Sequence, residues 1–471
     1  MTEDLRDALS VESSQILAHH DDENRLTAAF VDEVIAEVEA GRPEKARELV
    51  SPLHPADIAD LIELTPADQR KALTDAIDDL IDGDVLAEMN EHVREGLIDT
   101  YEPAEVAELA SEMETDDAVA IIEDLDEDEQ RAVLRALPPD ERAAIEEGLS
   151  YPEDSAGRMM QRDLVAVPAH WSVGQTIDYL RDNQDLTTDF WEIFVVDPTH
   201  KPIGTCQLSW ILRTPRSIAI ADVMKREQTL IPVDMDQEEI ALLFQKYALI
   251  SAAVVDTNGR LIGMITVDDV VHVIQEEAGE DILKLAGAGD GDINEPILMT
   301  IKSRMWWLFI NLLTAVAAAI MPVIFGSTIQ QFVALSALMG IVSGMGGNAG
   351  TQTMAVVVRA LATNQLTSSN TMRMIGREFM IALANGFGLG LVMLVGCAAW
   401  YHNLVLGGVL MAGWMTDALA AGIAGILIPL GLQRMKVDPA VVSTVFVTWV
   451  TDTVGFGAFL GFASLVIKFM V

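Results

Sequence analysis

The chain has 471 residues, with 30 Lys and Arg against 72 Asp and Glu, a formal charge of −42 and a mean hydropathy of +0.28. The acid excess is uneven: from Lys302 onward there are 8 basic and 4 acidic residues, leaving 22 basic and 68 acidic before it. A field of that sign repels nucleic acid and anionic headgroups and attracts cations, which excludes nucleic-acid binding, and the composition break excludes a single globular domain.

The first residues, Met1 to Asp7, are acidic and lack the basic-then-apolar layout of a secretory signal, so the soluble part is expected in the cytoplasm. Residues 24–150 are dense in helix formers with apolar residues at helical spacing. His54-Pro55-Ala56-Asp57-Ile58-Ala59-Asp60-Leu61 recurs as Glu102-Pro103-Ala104-Glu105-Val106-Ala107-Glu108-Leu109, and Leu64 to Leu73 recurs as Leu125 to Leu134. Proline at a helix start with an acid in the first turn suits both backbone and dipole. Short repeated helices predict a stacked array. Its acid runs, Asp116-Asp117 and Glu123 to Glu129, can also be read as plain solvated surface.

From about Met159 to Gly287 short β-branched strands alternate with helices. Val195-Val196-Asp197 followed by Ile203-Gly204 is matched, 59 residues on, by Val254-Val255-Asp256 followed by Ile262-Gly263. Asn258-Gly259 supplies a turn, Leu261 to Thr266 a strand, and Asp268-Asp269 opens a helix. The two βαβ units resemble tandem CBS motifs, a regulatory module. Cys206 and Cys397 are far apart and make no metal or disulfide framework; both are expected to pack as small apolar residues.

Between Arg304 and Arg359 lie 54 residues without a charge, more than one crossing of ~30 Å of hydrocarbon needs. A turn at Gly326-Ser327-Thr328 divides them into Trp306 to Phe325 and a second span from near Phe332 toward Arg359. Phe379 to Ala399, Leu404 to Leu432 and Ala440 to Ile467 make five helical spans in all. Lys302, Arg304, Arg359, Arg373, Arg377, Arg434 and Lys436 fall at alternate ends, with Lys468 the exception, placing the acidic part inside and Val471 outside.

Two features in this half are costly in lipid. Asp452 sits midway along the fifth span and Asp417 within the fourth, where an acid costs roughly 2.5–3.5 kcal/mol. Each can be read as a protonated or locally paired structural carboxylate. The run Ser343-Gly344-Met345-Gly346-Gly347-Asn348-Ala349-Gly350-Thr351-Gln352 is expected to loosen its helix and free carbonyls toward a polar path; close helix packing at small residues is the other reading. Carbonyls, amides and carboxylates are ligands for a hard cation. One in-membrane carboxylate is too little to strip a small divalent ion of its hydration; if the ion is Mg²⁺, the expected mode is recognition with most waters retained. A symmetric dimer with two copies of Asp452 at one axis would balance one divalent ion.

The order of an acidic helical domain, the stretch Tyr151 to Met160, paired CBS motifs and five spans resembles the MgtE family of magnesium channels and transporters. The membrane motifs that carry the likeness are Gly346-Gly347-Asn348-Ala349-Gly350-Thr351-Gln352, Asp438-Pro439-Ala440-Val441-Val442-Ser443, Phe446-Val447-Thr448 and Thr451-Asp452. The fold class implied is a multi-domain membrane protein: an all-α superhelical domain over 1–155, an α/β tandem CBS domain over 156–283 (156–218 and 219–283), a connecting, plug-like helix over 284–304, and a five-span α-helical pore domain over 305–471. The function implied is a Mg²⁺-selective, cytosolic-Mg²⁺-gated channel or transporter for magnesium uptake and homeostasis, a homodimer in the cell (inner) membrane. Hydrated Mg²⁺ would be held by Asp452, with carbonyls or side chains near Gly344, Asn348, Thr444 and Thr448 completing the site; Val445 stands where the family's pore helix usually has proline.

The likeness also implies cytosolic Mg²⁺ sensing by Asp236, Glu238, Asp269, Glu277, Glu280, Asp281 and Asp438, to which the acid pair Asp116 and Asp117 is added. Ala248 and His272 depart from the family's acidic pattern there. Thr266, Asp268 and Asp269 partly fit a ribose-binding pattern, which makes ATP at the CBS domain a further expectation. Alternatives are a cation-coupled exchanger, with Asp417 as the extra titratable or sodium-sensing group, and a non-transporting membrane CBS sensor. No nucleophile–base pair, phosphate-cradling glycine loop or HEXXH spacing points to an enzyme. Part of the acid excess also fits adaptation to a salty cytosol.

Overall fold

The computed structural model describes residues 19–22, 24–183, 190–288, 294–366 and 369–467, with the backbone alone at 441–443, and divides into two compact units, Met1–Ile274 and Gln275–Val471. Lys468 and Val471, on which the orientation of the last segment was read, lie outside the described residues.

The first unit begins with the expected array of short helices between Ala28 and Leu149. The repeated Pro-Ala-acid segments are helix starts: Pro55 and Pro103 occupy the first turns of Pro55–Leu64 and Pro103–Glu112. Ahead of them, His54 Nδ1 accepts from Ala56 N at 3.3 Å and Glu102 N donates to the Glu105 carboxylate at 2.8 Å. Both contacts occupy backbone or side-chain groups that a helix start leaves open. The apolar stripes close on one another, burying Leu61, Ile62, Leu73, Ile77, Ile121 and Ile122 almost completely.

Two three-stranded sheets follow, built alike. In the first, β1 (Ala166–Pro168) runs parallel to β2 (Glu192–Val196), which runs antiparallel to β3 (Pro202–Gln207); in the second, β4 (Leu230–Pro232), β5 (Ser251–Val255) and β6 (Leu261–Thr266) repeat the arrangement. The register shifts at Val195/Val196 in one and at Val254/Val255 in the other, so the sequence repeat extends to the irregularity. The turns match too: Asp197 Oδ1 accepts from Thr199 N and Lys201 N, and Asp256 Oδ1 from Asn258 N and Arg260 N. Gly259, at φ +76°, supplies the left-handed residue of the second turn. Phe194, Val196, Ala253, Leu261 and Met264 form one buried cluster that seals the two sheets together.

α1 (Val267–Ala286) leaves β6 directly and carries the chain into the second unit. Residues 284–304, expected as one connecting helix, are not one: α1 ends at Ala286, Gly287 turns at φ +64°, and α2 (Ile297–Ala318) begins after Pro296. Two short helices, Ile320–Ile324 and Gly326–Gln331, lead to α3 (Ala334–Ala362), so Gly326-Ser327-Thr328 opens a helix instead of forming the expected turn. α4 (Thr371–Tyr401), α5 (Leu404–Arg434) and α6 (Pro439–Val466) complete the unit, with α5 packed against α3, α4 and α6.

Four segments are long and apolar enough to cross a membrane: Ile297–Ile324, Thr371–Tyr401, Leu404–Arg434 and Thr444–Val466. The expected count of five exceeds this by α3, which has the length at 29 residues but carries Ser343, Asn348, Thr351 and Gln352 in its middle. Those polar groups lower its hydropathy below that of a typical span. Large apolar side chains on α2 and α4 face outward, Trp306, Val316, Val392 and Trp400 among them, as lipid-facing helices require.

The seal between the CBS-like sheets makes a direct prediction. Phe194 is wholly buried, so Phe194→Ala should lower unfolding stability by roughly 3–5 kcal/mol. Urea titration of the full chain followed by tryptophan fluorescence measures this; a loss under about 1 kcal/mol would mean the site collapses without a cavity.

Candidate functional site

The glycine run does not break its helix. α3 is continuous from Ala334 to Ala362, and its glycines serve close approach. A Cβ on Gly346 would run into the Asp417 carboxylate of α5. On Gly350 it would lie 2.5 Å from Val447 Cγ1 of α6, and on Gly425 of α5 it would lie 2.9 Å from the Gly350 carbonyl oxygen. Gly344 and Gly347, by contrast, face open space. The freed carbonyls expected here are therefore absent from α3: in apolar surroundings an unpaired backbone group costs more than glycine's flexibility recovers, so the helix stays closed.

What this packing achieves is to bring Asp452 of α6 against α3. Asp452 is partly exposed, and its Oδ1 accepts a hydrogen bond from Ser343 Oγ. Thr444, Thr448 and Asp452 follow one another at four-residue spacing on α6, and Gly344, Asn348 and Gln352 do the same on α3; Gly344, Asn348 and Gln352 are exposed. Thr448 O accepts from Thr451 Oγ1 at 3.0 Å. The Thr444 hydroxyl donates to the Leu285 carbonyl at the end of α1, at 2.8 Å. Val445, in place of the usual proline, is buried, and α6 runs through it as a helix.

The second grouping lies in the first unit. Asp116 and Asp117 stand in the first turn of Thr115–Glu123, with Glu114 as its N-cap residue, and they face Asp268 and Asp269 in the first turn of α1. Asp116 is only 8% exposed and its Oδ1 has no hydrogen-bond partner. Burial, then the Asp269, Asp117 and Glu114 charges, holds its carboxyl well above the usual range. Burial likewise pushes Glu114 up to about 7, reinforced by Asp269, Asp117 and Asp268. Asp117 rises to about 6, burial outweighing relief from Arg94 and His272. Asp269 also rises to about 6, burial and the Asp268 and Asp117 charges outweighing a hydrogen bond from Thr266 Oγ1 at 2.6 Å. That last bond pairs two groups of the ribose-binding pattern with each other. Among the described residues no three His, Cys, Asp or Glu side chains are close enough to chelate a metal outright.

The remaining predicted acids divide. Asp236 caps Gln237–Tyr247, accepting from Glu238 N at 3.0 Å. Ala248 ends that helix in the left-handed region at φ +49°. In the second unit Lys284 bridges Glu280, at 2.5 Å, and Asp438, at 3.2 Å, while Asp438 also caps α6 through Ala440 N. Asp281 is raised by burial and by Asp438. Four participants were missed from sequence. Glu114 and Lys284 look like ordinary surface charges in a rich background. Ser343 and Leu285 act only through the neighbours that packing gives them.

The profile described as "Divalent cation transporter" matches residues 339–462, that of the MgtE intracellular N domain 53–154, and that of the CBS domain 220–276. The magnesium transporter MgtE of Bacillus subtilis is 28% identical over 427 residues, 90% of this chain and 94% of that one. That of Thermus thermophilus is 31% identical over 322 residues, 68% and 71% of the two chains. Among solved structures, the cytosolic domain of the Mg²⁺ channel MgtE in complex with ATP aligns with 52% of this chain and 99% of its own, at 25% identity and a TM-score of 0.48. From agreement of this extent, with the helical, CBS and membrane regions in the same order, the chain belongs to the MgtE family of divalent cation transporters and is not an enzyme.

Proposed function

We propose that this chain carries Mg²⁺ through the cell membrane as a homodimer, along a pore whose selective acid is Asp452 and whose opening is controlled by Mg²⁺ on the cytosolic side. The observation that carries the reading is Asp452 itself: an acid midway along α6, tied to Ser343 of a glycine-packed α3 and continued by a polar stripe of Gly344, Asn348 and Thr448. A carboxylate kept at that depth is balanced by a cation or a proton. One carboxylate and neutral oxygens suit Mg²⁺ that keeps most of its water. The exposed stripe then faces the axis of the dimer, where a second Asp452 brings the charge to that of one divalent ion. α3 serves as the fifth span, its polar face covered by the partner, and Thr444 fastens the closed pore to α1 instead of binding the ion.

For sensing, the geometry favours Glu114, Asp116, Asp117, Asp268 and Asp269. Five acids crowded between two helix starts repel one another, and divalent cations bridging them through water select the compact arrangement. Asp236, Glu238, Glu277, Glu280, Asp281 and Asp438 are retained as further sensing positions, with Lys284 holding Glu280 and Asp438 together. α1 carries the crowded acids at its start and the Leu285–Thr444 bond near its end, so its position decides whether α6 is held. ATP is assigned to the Thr266–Asp269 turn at the CBS domain, where it competes with metal for Asp269; an Mg²⁺ titration of ATP binding to the full chain tests this by loss of affinity.

Two further tests follow. Growth of a strain lacking Mg²⁺ uptake should be restored by the wild type and not by Asp452→Ala at equal expression; equal rescue removes the pore role from that residue. Proteolysis of the full chain tests the acid cluster. Mg²⁺ should protect the soluble part more than KCl of equal ionic strength, and equal protection would favour the salty-cytosol explanation. Without Mg²⁺ the sign of the pH effect is fixed. Glu114, Asp117 and Asp269 rise from ordinary values of 4.5, 3.8 and 3.8 to about 7, 6 and 6, so the compact form is most stable below about pH 4 and loses that stability as pH rises through 6 to 7. Lowering the pH from 7.5 to 5 should slow cleavage roughly tenfold, and saturating Mg²⁺ should flatten the profile.

A further inference from the structure

Asp417 is the one acid of α5, and the pore described above leaves it unused. Its side chain is wholly buried, and neither carboxylate oxygen has a hydrogen-bond partner. No ion pair reaches it among the described residues. It lies between the two helices that carry the pore stripe. Gly346 of α3 presents its Cα directly to the carboxylate, so closely that no Cβ could be added there, and a Cβ on Gly455 of α6 would lie 3.0 Å from Asp417 Cγ and Oδ2. Asp452 is near enough for the two charges to repel. Two more polar atoms of α5 and α6 are buried and unmatched, Trp414 Nε1 one turn before Asp417 and Thr453 Oγ1 one residue after Asp452.

Neither simple state of this acid is satisfied by the protein alone. Ionised, it is a bare charge in an apolar interior, which costs far more than a lost hydrogen bond. Protonated, it still offers a donor with no acceptor, and its second oxygen stays unpaired. A Cβ at 346 or 455 would press on the carboxylate, and glycine at both lets α3 and α6 close directly on it. A hard cation, with water reaching Thr453 and Trp414, satisfies both oxygens at once.

We propose that Asp417 is a second cation-binding carboxylate of the transport route, ligating a hard cation where α3, α5 and α6 meet. The inference rests on the reading of Asp452 as the pore acid and adds a position to it. Asp417 acts by direct ligation from behind the stripe, which separates its role from that of a packing residue.

The test is Mg²⁺ uptake into liposomes containing the purified full chain, measured against external Mg²⁺ for wild type, Asp417→Asn, Asp417→Glu and Asp452→Asn. Asp417→Asn keeps the shape of a protonated acid and removes the charge. It should raise the half-saturating Mg²⁺ concentration about tenfold with the maximal rate changed less than about twofold, and Asp417→Glu should fall between it and wild type. An Asp417→Asn protein indistinguishable from wild type, or better than Asp417→Glu, overturns the proposal and leaves a protonated structural carboxyl. Asp452→Asn separates the two ideas: uptake that survives it removes the pore reading, whereas uptake lost there and unaltered by Asp417→Asn removes this inference alone. Should the Asp417 variants not fold, a density map of the wild-type protein in Mn²⁺ decides. A metal peak within about 2.5 Å of an Asp417 oxygen supports the site, and its absence at saturating Mn²⁺ overturns it.

Discussion

A carboxylate placed inside a membrane has to be answered by a proton, a cation or a fixed positive charge, and the membrane unit of this chain holds its basic residues at the helix ends. Among the described residues no basic side chain reaches Asp452 or Asp417, and the helices around them close so that both lie against α3. The glycines of α3 allow α5 and α6 to approach until one acid sits against Ser343 and the other against bare backbone. Had α3 carried alanine at 346 and 350, the helices would stand further apart and neither acid would meet α3 as it does. Small residues here set the distance between the helices.

The cytosolic acids obey the same electrostatics in the opposite sense. In the first unit five carboxylates are crowded between two helix starts and resist being brought together. Burial and neighbouring charge raise the proton affinity of Glu114, Asp116, Asp117 and Asp269, so neutralising them favours keeping them together. Helix starts suit such a cluster, since their exposed N–H groups lessen the cost of a nearby carboxylate. α1 carries residues of both settings. Its first turn holds Asp268 and Asp269, and near its last turn Leu285 receives the Thr444 hydroxyl while Lys284 ties Asp438, the cap of α6.

Glycine is where reading by propensity alone misleads. In water a helix with four glycines in ten residues is weak, which argues for a broken α3 with free carbonyls. Inside a membrane each unpaired carbonyl costs several kcal/mol, so the helix stays closed and the glycines are used for contact. The same shift of setting explains Thr444. Its hydroxyl, on the polar stripe, donates its hydrogen to the Leu285 carbonyl at the end of α1, a partner that only packing supplies. The helix expected over 284–304 fails for a local reason, since Gly287 in the left-handed region and Pro296 before α2 each end a helix.

Sequence alone determined the order of the regions, the twofold CBS-like repeat, the helix starts at Pro55 and Pro103, and the presence of two acids in apolar segments, because each of these is written in local composition or period. It could not determine partners that are remote in the chain. Ser343 meets Asp452 across 109 residues, Asp116 faces Asp269 across more than 150, and Asp417 is isolated from every donor only by the way three helices close around it. Charge and hydropathy are properties of residues and can be read in order. Which charge is left unanswered is a property of packing, and only the folded chain decides it.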